Sequence, residues 1–73
     1  MEKIDFNNGV LSGKAVIKGT RISVNYILEM LASGMSIDEI LFEYEILTKE
    51  DIVAALEYAN KILKHERIIS QDG

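Results

Sequence analysis

The fold is decided by one stretch, Met35-Ser-Ile-Asp-Glu-Ile-Leu-Phe-Glu-Tyr-Glu-Ile-Leu-Thr-Lys-Glu-Asp-Ile52, which contains the same pattern twice. In each copy an apolar residue precedes a Ser or Thr, and an isoleucine follows four positions after the hydroxyl. Such a hydroxyl caps free backbone N–H groups, and the flanking apolar pair packs across the cap as a hydrophobic staple. Ile22-Ser23 with Ile27 is a third copy. The pattern therefore predicts three helices, beginning near positions 23, 36 and 48.

Acidic residues strengthen two of these helix starts. Glu39 completes a capping box with Ser36, and Asp51 stands in the same place after Thr48. Apolar spacing then predicts helices over about 24–33, 37–43 and 49–64, with Gly34 ending the first. The residues expected to face the core are Val24, Ile27, Leu28, Leu31, Ile37, Ile40, Leu41, Ile46, Leu47, Ile52, Val53, Leu56, Ala59, Ile62 and Leu63.

The size and composition of the chain exclude several function classes. Its 73 residues make a single small domain, 1–73, with a thin stability margin, and such domains often oligomerise. The absence of Cys excludes disulfides and thiolate metal sites, and one His cannot supply the usual metal-ligand cluster. No apolar run is long enough for a membrane span, and the N-terminus does not resemble a signal peptide. We therefore expect a cytoplasmic protein without cofactor or metal.

Residues 1–22 read as an arm of short strands and turns ahead of the three-helix core, 23–64. Ile4 and Phe6 alternate with polar neighbours, Asn7-Asn8-Gly9 is a turn signal, and 15–17 is a short apolar run. Because two isolated strands are marginal in water, the arm either packs on the helices or pairs with the same arm of a second copy. We expect a homodimer through these N-terminal strands. Residues 65–73 are expected to form a frayed tail.

A short helix, a turn of about four residues and a longer helix, braced by a preceding helix, predict a helix-turn-helix. The charge pattern does not suit ordinary DNA reading, because residues 36–59 hold seven acids against Lys49 alone. If the third helix entered a major groove, Glu50 and Asp51 would repel phosphates. We interpret these two carboxylates as serving the helix dipole and the cap.

The cations Lys14, Lys18 and Arg21 are the candidate DNA-binding residues. In a strand Lys14 and Lys18 would share a face, and Arg21 would follow just past the turn at Gly19. A two-fold dimer would double this patch, and paired strands can enter the major groove. The alternative is that the lysines only keep an exposed edge strand soluble.

Catalysis finds little support in the sequence. His65 reads as a cation near a helix end, and Ser23, Ser36 and Thr48 are explained as caps. The carboxylates of residues 38–57 mostly fall on solvent faces, where nothing pairs them across a pocket. We therefore predict no catalytic residues and no enzyme.

Three segments, Ser12–Ile22, Leu31–Leu41 and Leu47–Ala59, resemble the small prokaryotic family called domain of unknown function 433. The resemblance implies a mainly α fold: a three-helix, homeodomain-like helix-turn-helix core preceded by a short N-terminal β segment. Members are often encoded beside a PIN-like ribonuclease toxin and are regarded as antitoxins of the VapB type. This implies two jobs, holding that toxin inactive and binding the operator of its own operon.

Gly19, Thr20 and Arg21 match the signature of that family, and Thr20 is a further candidate DNA-binding residue. The match does not assign their role, and the structural alternative is that Gly19 allows a sharp turn which Arg21 anchors to a carboxylate or carbonyl. The family usually has Pro where this chain has Ala15 and Glu45, which loosens two turns without changing the fold. The second departure is the short C-terminal tail, from which we expect toxin contact to be limited to residues 61–73. The alternative to an antitoxin is a dimeric protein-interaction module that binds no DNA.

Overall fold

A computed structural model describes residues 2–6 and 14–66, with the backbone alone for residues 65 and 66. The chain forms two short strands, β1 (Ile4–Phe6) and β2 (Ala15–Ile17), followed by three helices, α1 (Val24–Ala32), α2 (Ile37–Glu43) and α3 (Lys49–Glu66). The mainly α fold with a short N-terminal β segment is therefore confirmed. The turn predicted at 7–9 and the tail beyond residue 66 lie outside the described residues.

All three predicted caps are present. The Ser23 hydroxyl accepts the Tyr26 N–H at 2.9 Å. Ser36 and Glu39 form a full capping box, in which the Ser36 hydroxyl accepts the Glu39 N–H at 3.1 Å and the Glu39 carboxylate accepts the Ser36 N–H at 2.8 Å. These bonds satisfy N–H groups that a helix start leaves unpaired, so they fix where α1 and α2 begin.

Gly34 ends α1 as predicted, and the geometry is a Schellman motif. The Gly34 N–H donates to the Leu31 carbonyl at 3.0 Å, and the Met35 N–H donates to the Met30 carbonyl at 3.1 Å. This reversal requires a positive φ, which is +105° at Gly34. The chain is thereby turned from α1 into the start of α2.

The arm packs on the helices of its own chain. β1 pairs with β2 in antiparallel register, with Ile4 opposite Ile17, and both side chains are buried in the common core. Phe6 meets Tyr58 of α3 edge to face, with ring centroids 6.0 Å apart. On its other side β2 is bridged to Ser23. The core therefore lies between the small sheet and the three helices. Its buried members are Ile4, Ile17, Val24, Ile27, Met30, Ile40, Leu47, Ile52, Ala54 and Ala55.

The predicted core face of α3 was wrong in part. Ala54 and Ala55 are buried, whereas Leu56 and Leu63 are 40% and 63% exposed. Short alanine side chains let the neighbouring elements approach the helix closely, so α3 turns these residues inward rather than its leucines. Val53 and Ile62 are also exposed.

Ile46 was wrongly placed in the core. It is 60% exposed, while the adjacent Leu47 is only 4% exposed. Leu47 donates its N–H to the Tyr44 carbonyl at 2.9 Å, closing a turn that directs one of these two neighbouring side chains inward and the other outward.

Among the described helices, none combines the length and apolarity that a membrane span requires.

Candidate functional site

The predicted basic residues at the two ends of β2 lie in different surface depressions. Lys14 lines a groove between α1 and α3, beside Leu28 and Ile62. Lys18 lines a separate depression with Glu2 and Lys3, which precede β1, and with Asp51 at the start of α3. The strand between the two lysines buries Val16 and Ile17 together, so it is not a ribbon with one polar face. Both lysines are exposed, but the chain does not gather them into one patch.

Thr20 has a structural role in the turn after β2. Its hydroxyl donates to the Ile17 carbonyl at 2.8 Å and accepts the Ile22 N–H at 2.9 Å. Gly19 provides the positive φ of +83° that this turn needs. Arg21 is exposed next to it. The Thr20 hydroxyl is thus already hydrogen-bonded within the turn, whereas the exposed Arg21 side chain is the better placed of the two to contact DNA.

A second surface, which sequence reasoning did not single out, is formed by α2 and the turn after it. Phe42 is 87% exposed and Ile46 is 60% exposed. Exposed carboxylates surround them in the sequence. We name this the acidic-apolar surface, and its residues are Asp38, Glu39, Phe42, Glu43, Glu45 and Ile46.

The pattern of α2 explains why Phe42 faces solvent. The helix is held at Ile40, which is completely buried, with Ile37 and Leu41 packed beside it. Phe42 lies one turn after Asp38 and Glu39, and side chains three or four positions apart share a helix face. Phe42 thus lies on the polar face of the helix. That position was readable from the sequence, because the acids at the third and fourth positions before Phe42 mark it.

The acidic-apolar surface is braced by a pair of tyrosines. The Tyr26 and Tyr44 hydroxyls lie 2.7 Å apart, and their rings meet edge to face with centroids 6.0 Å apart. This hydrogen bond raises the pKa of the Tyr44 phenol, and partial burial and the nearby charge of Glu43 act in the same direction. The pair joins α1 to the C-cap of α2. Tyr44 lies between Phe42 and Ile46 in the sequence, so the pair links this part of the surface to α1.

Asp51 is the exception among the acids of this region. It is about nine-tenths buried, because its carboxylate caps α3 and lies 3.7 Å from the Lys3 ammonium. Glu50 remains exposed in the first turn of the helix, where the dipole stabilises a negative charge. The interpretation of Asp51 as a cap is confirmed.

Over residues 2–6 and 14–64, no three His, Asp or Glu side chains are grouped as metal ligands.

A family model, described as Protein of unknown function (DUF433), matches residues 4–59. The chain belongs to the DUF433 family. The match includes β1 as well as the segments that carried the resemblance. The fold of this DUF433 chain is similar to the crystal structure of a DUF433 member protein from Anabaena variabilis ATCC 29413, with a TM-score of 0.79 and 33% identity.

That similarity covers 86% of this chain and 62% of the Anabaena protein, so the chain spans less than two thirds of that relative. No curated protein matches the chain. The comparisons therefore assign a DUF433 fold and family.

Proposed function

We propose that this DUF433 protein is a non-catalytic, antitoxin-like protein that binds a PIN-like ribonuclease toxin through the acidic-apolar surface. The observation that supports the proposal is Phe42, a large apolar side chain left 87% exposed among carboxylates. Exposed aromatic residues of this kind are typical anchors of protein interfaces. The surrounding acids define the charge of the partner, which must be basic.

A ribonuclease meets that requirement for a physical reason. An enzyme that binds the phosphate backbone of RNA presents Lys and Arg on its substrate surface. A domain that carries a cluster of carboxylates competes for such a surface and is steered towards it by charge. Phe42 and Ile46 then supply the apolar contact that a purely electrostatic encounter lacks. Inhibition follows because the substrate path is covered.

The proposal predicts a gene for a PIN-like nuclease beside the gene of this chain, and the decisive experiment measures inhibition of that nuclease. Wild-type protein should inhibit RNA cleavage, and Phe42→Ala should weaken inhibition by about 30-fold, the loss typical of an interface anchor. Ile62→Ala is the matched control, because Ile62 is an exposed apolar residue of α3, 43% exposed, outside the proposed surface. Its inhibition should stay within about twofold of wild type.

Charge reversal tests the electrostatic part separately. The double variant Glu43→Lys/Glu45→Lys should slow association and make inhibition less sensitive to salt, whereas Glu2→Lys, an exposed acid of the arm, should not. The proposal is wrong if wild-type protein leaves the nuclease fully active, or if Phe42→Ala inhibits as well as wild type. A genome with no nuclease gene beside this one would also count against it.

Operator binding is a second candidate function, favoured by the exposure of Lys14, Lys18 and Arg21. The three cations project from the arm, on either side of β2, and the first turn of α3 is acidic. Contacts of this kind bind phosphates without reading bases, so the affinity should fall steeply with salt. A gel shift with DNA from upstream of the gene should show retardation at low salt, lost in Lys14→Ala/Lys18→Ala/Arg21→Ala. If wild-type protein does not retard the DNA, operator binding is excluded and the alternative, a protein-interaction module that binds no DNA, is favoured.

A further inference from the structure

We propose that α3 carries a self-complementary surface on which a second copy of this chain binds in antiparallel orientation. The surface is a row of four residues along the solvent side of the helix, Val53, Leu56, Asn60 and Leu63, which we name the α3 strip. Its three apolar members are 39%, 40% and 63% exposed, and Asn60 is also exposed. The apolar members, together with Ile62 outside the strip, are the large apolar side chains of α3 that the core of the single chain leaves exposed.

The spacing of the strip is that of a helix-pairing seam. Successive members are three, four and three positions apart, which is the repeat that two α-helices use when they pack along each other. The buried side of α3 is formed instead by Asp51, Ile52, Ala54 and Ala55. The helix therefore has two apolar faces, one used within the chain and one open to a partner helix.

The charges beside the strip indicate that this partner is a second copy. Glu57 and Lys64 are exposed, carry opposite charges and lie seven positions apart, so they follow the same edge of the strip. A two-fold interface requires that each contact occur twice with the partners exchanged. An antiparallel pair meets this requirement, because Glu57 of each copy then approaches Lys64 of the other. A parallel pair would place the two copies of each residue on opposite edges of the seam, so the contacts between Glu57 and Lys64 would not form.

We place the two-fold axis of the proposed pair at Asn60. With the axis at Asn60, the positions of Glu57 and of Lys64 in the second copy are offset along the helix axis by only about 1.5 Å, the rise of one helical residue. The two Asn60 amides then meet at the axis, where each can donate to and accept from the other. A single polar residue within an apolar seam is a known means of fixing the register of paired helices.

The two strands leave one large apolar side chain exposed, Phe6 at 52%, against the three of the α3 strip. Ile4, Val16 and Ile17 are buried within the chain, and β2 is already bridged to Ser23 on the side away from β1. We therefore assign the homodimer contact to the α3 strip rather than to the strands. The assignment does not depend on toxin or DNA binding, since it can be tested on the chain alone.

The test is sedimentation equilibrium of the full chain over a concentration series. Wild-type protein should form a dimer, and Lys64→Glu should weaken it about tenfold at low salt, because two attractive contacts become repulsive. Lys61→Glu is the matched control, since Lys61 is an exposed lysine of the same helix outside the strip. It should leave the dimer unchanged. The double variant Glu57→Lys/Lys64→Glu should restore it, because both signs are exchanged.

Cysteine cross-linking provides an independent measurement, since the natural chain contains no Cys. Under oxidation Asn60→Cys should form a disulfide dimer readily, because residues at a two-fold axis bring their Cβ atoms close together. Lys61→Cys should cross-link more slowly. The proposal is overturned if wild-type protein stays monomeric throughout the series. It is also overturned if Lys64→Glu and Lys61→Glu behave alike, if the double variant fails to restore the dimer, or if the two cysteines cross-link equally.

Discussion

Thr48 and Asp51 cap each other at the start of α3. The Thr48 hydroxyl accepts the Asp51 N–H at 3.2 Å, and the Asp51 carboxylate accepts the Thr48 N–H at 3.0 Å. The same carboxylate lies 3.7 Å from the ammonium of Lys3, which directly precedes β1. One acid therefore both starts the longest helix and binds the N-terminal arm to it.

Asp51→Ala should lower the free energy of unfolding by about 1–2 kcal/mol, because the Thr48 N–H loses its acceptor in a partly buried position. Asp51→Asn should cost less, since the amide oxygen still accepts. Urea denaturation followed by circular dichroism measures both. Glu50→Ala is the control and should change the value by less than about 0.5 kcal/mol, because Glu50 is exposed and caps nothing. Equal losses for Asp51→Ala and Asp51→Asn would contradict the capping role.

Thr20→Val should destabilise the fold by about 1 kcal/mol, because the substitution removes one hydrogen bond to the Ile17 carbonyl and one from the Ile22 N–H. Thr20→Ser keeps the hydroxyl and should recover most of the loss. Thermal unfolding of the three proteins tests this. If Thr20→Val were as stable as wild type, the threonine would be available for a binding role instead.

Ile40 and Phe42 predict opposite effects of truncation within one helix. Ile40 is fully buried, so Ile40→Ala should cost about 2–5 kcal/mol through lost burial and the cavity left behind. Phe42→Ala should change stability by less than about 0.5 kcal/mol, since its side chain is 87% exposed. Urea unfolding midpoints give both values. A large loss of stability in Phe42→Ala would mean that this residue belongs to the core rather than to an interface.

Gly34→Ala should destabilise the chain by about 1 kcal/mol. A β-carbon at this position would meet no atom within 4 Å, so the whole cost comes from the positive φ of +105°. Gly34→Asn should cost less, because asparagine tolerates left-handed backbone better. The comparison of unfolding free energies checks this order. If alanine and asparagine were equally tolerated, the Schellman geometry would not constrain the end of α1.

The raised pKa of Tyr44 predicts loss of stability in alkaline solution. The fold favours the neutral phenol, so the stabilising contribution is fully present below the pKa of tyrosine in the unfolded chain, about 10. It is lost as the pH rises through the higher pKa of the folded state. Spectroscopic titration of phenolate should show Tyr44 ionising at lower pH in Tyr26→Phe than in wild type. An unchanged Tyr44 titration would show that the Tyr26 hydroxyl does not raise the pKa of Tyr44.

The helix starts were predictable because their determinants are local. Each cap joins residues three positions apart, as in the reciprocal pair of Ser36 and Glu39. The Gly34 stop is equally local. Sequence reasoning could therefore place all three helices within about two residues of their observed ends.

The facing of α3 could not be predicted from hydrophobicity alone. A hydrophobicity ranking favours burial of Leu56 and Leu63, but the close approach of neighbouring elements selects Ala54 and Ala55 instead. Which of the neighbouring side chains Ile46 and Leu47 is buried likewise depends on the turn closed by the Tyr44 carbonyl. For the same reason the exposure of Val53, Leu56 and Leu63 became visible only with tertiary packing, whereas the acids before Phe42 already mark its exposure in the sequence. Predicting that Lys14 and Lys18 lie apart would also have required knowing that β2 buries consecutive residues.

The contacts of β1 with α3 carry a consequence for the order of folding. The caps and turns of the three helices join near neighbours, so these elements can form on the timescale of local helix nucleation. Lys3 and Phe6 instead find their partners in α3, Lys3 with Asp51 and Phe6 with Tyr58. Closing so long a loop is the slowest search that this topology demands. We therefore expect β1 to dock last and to be the first element released in native-state hydrogen exchange.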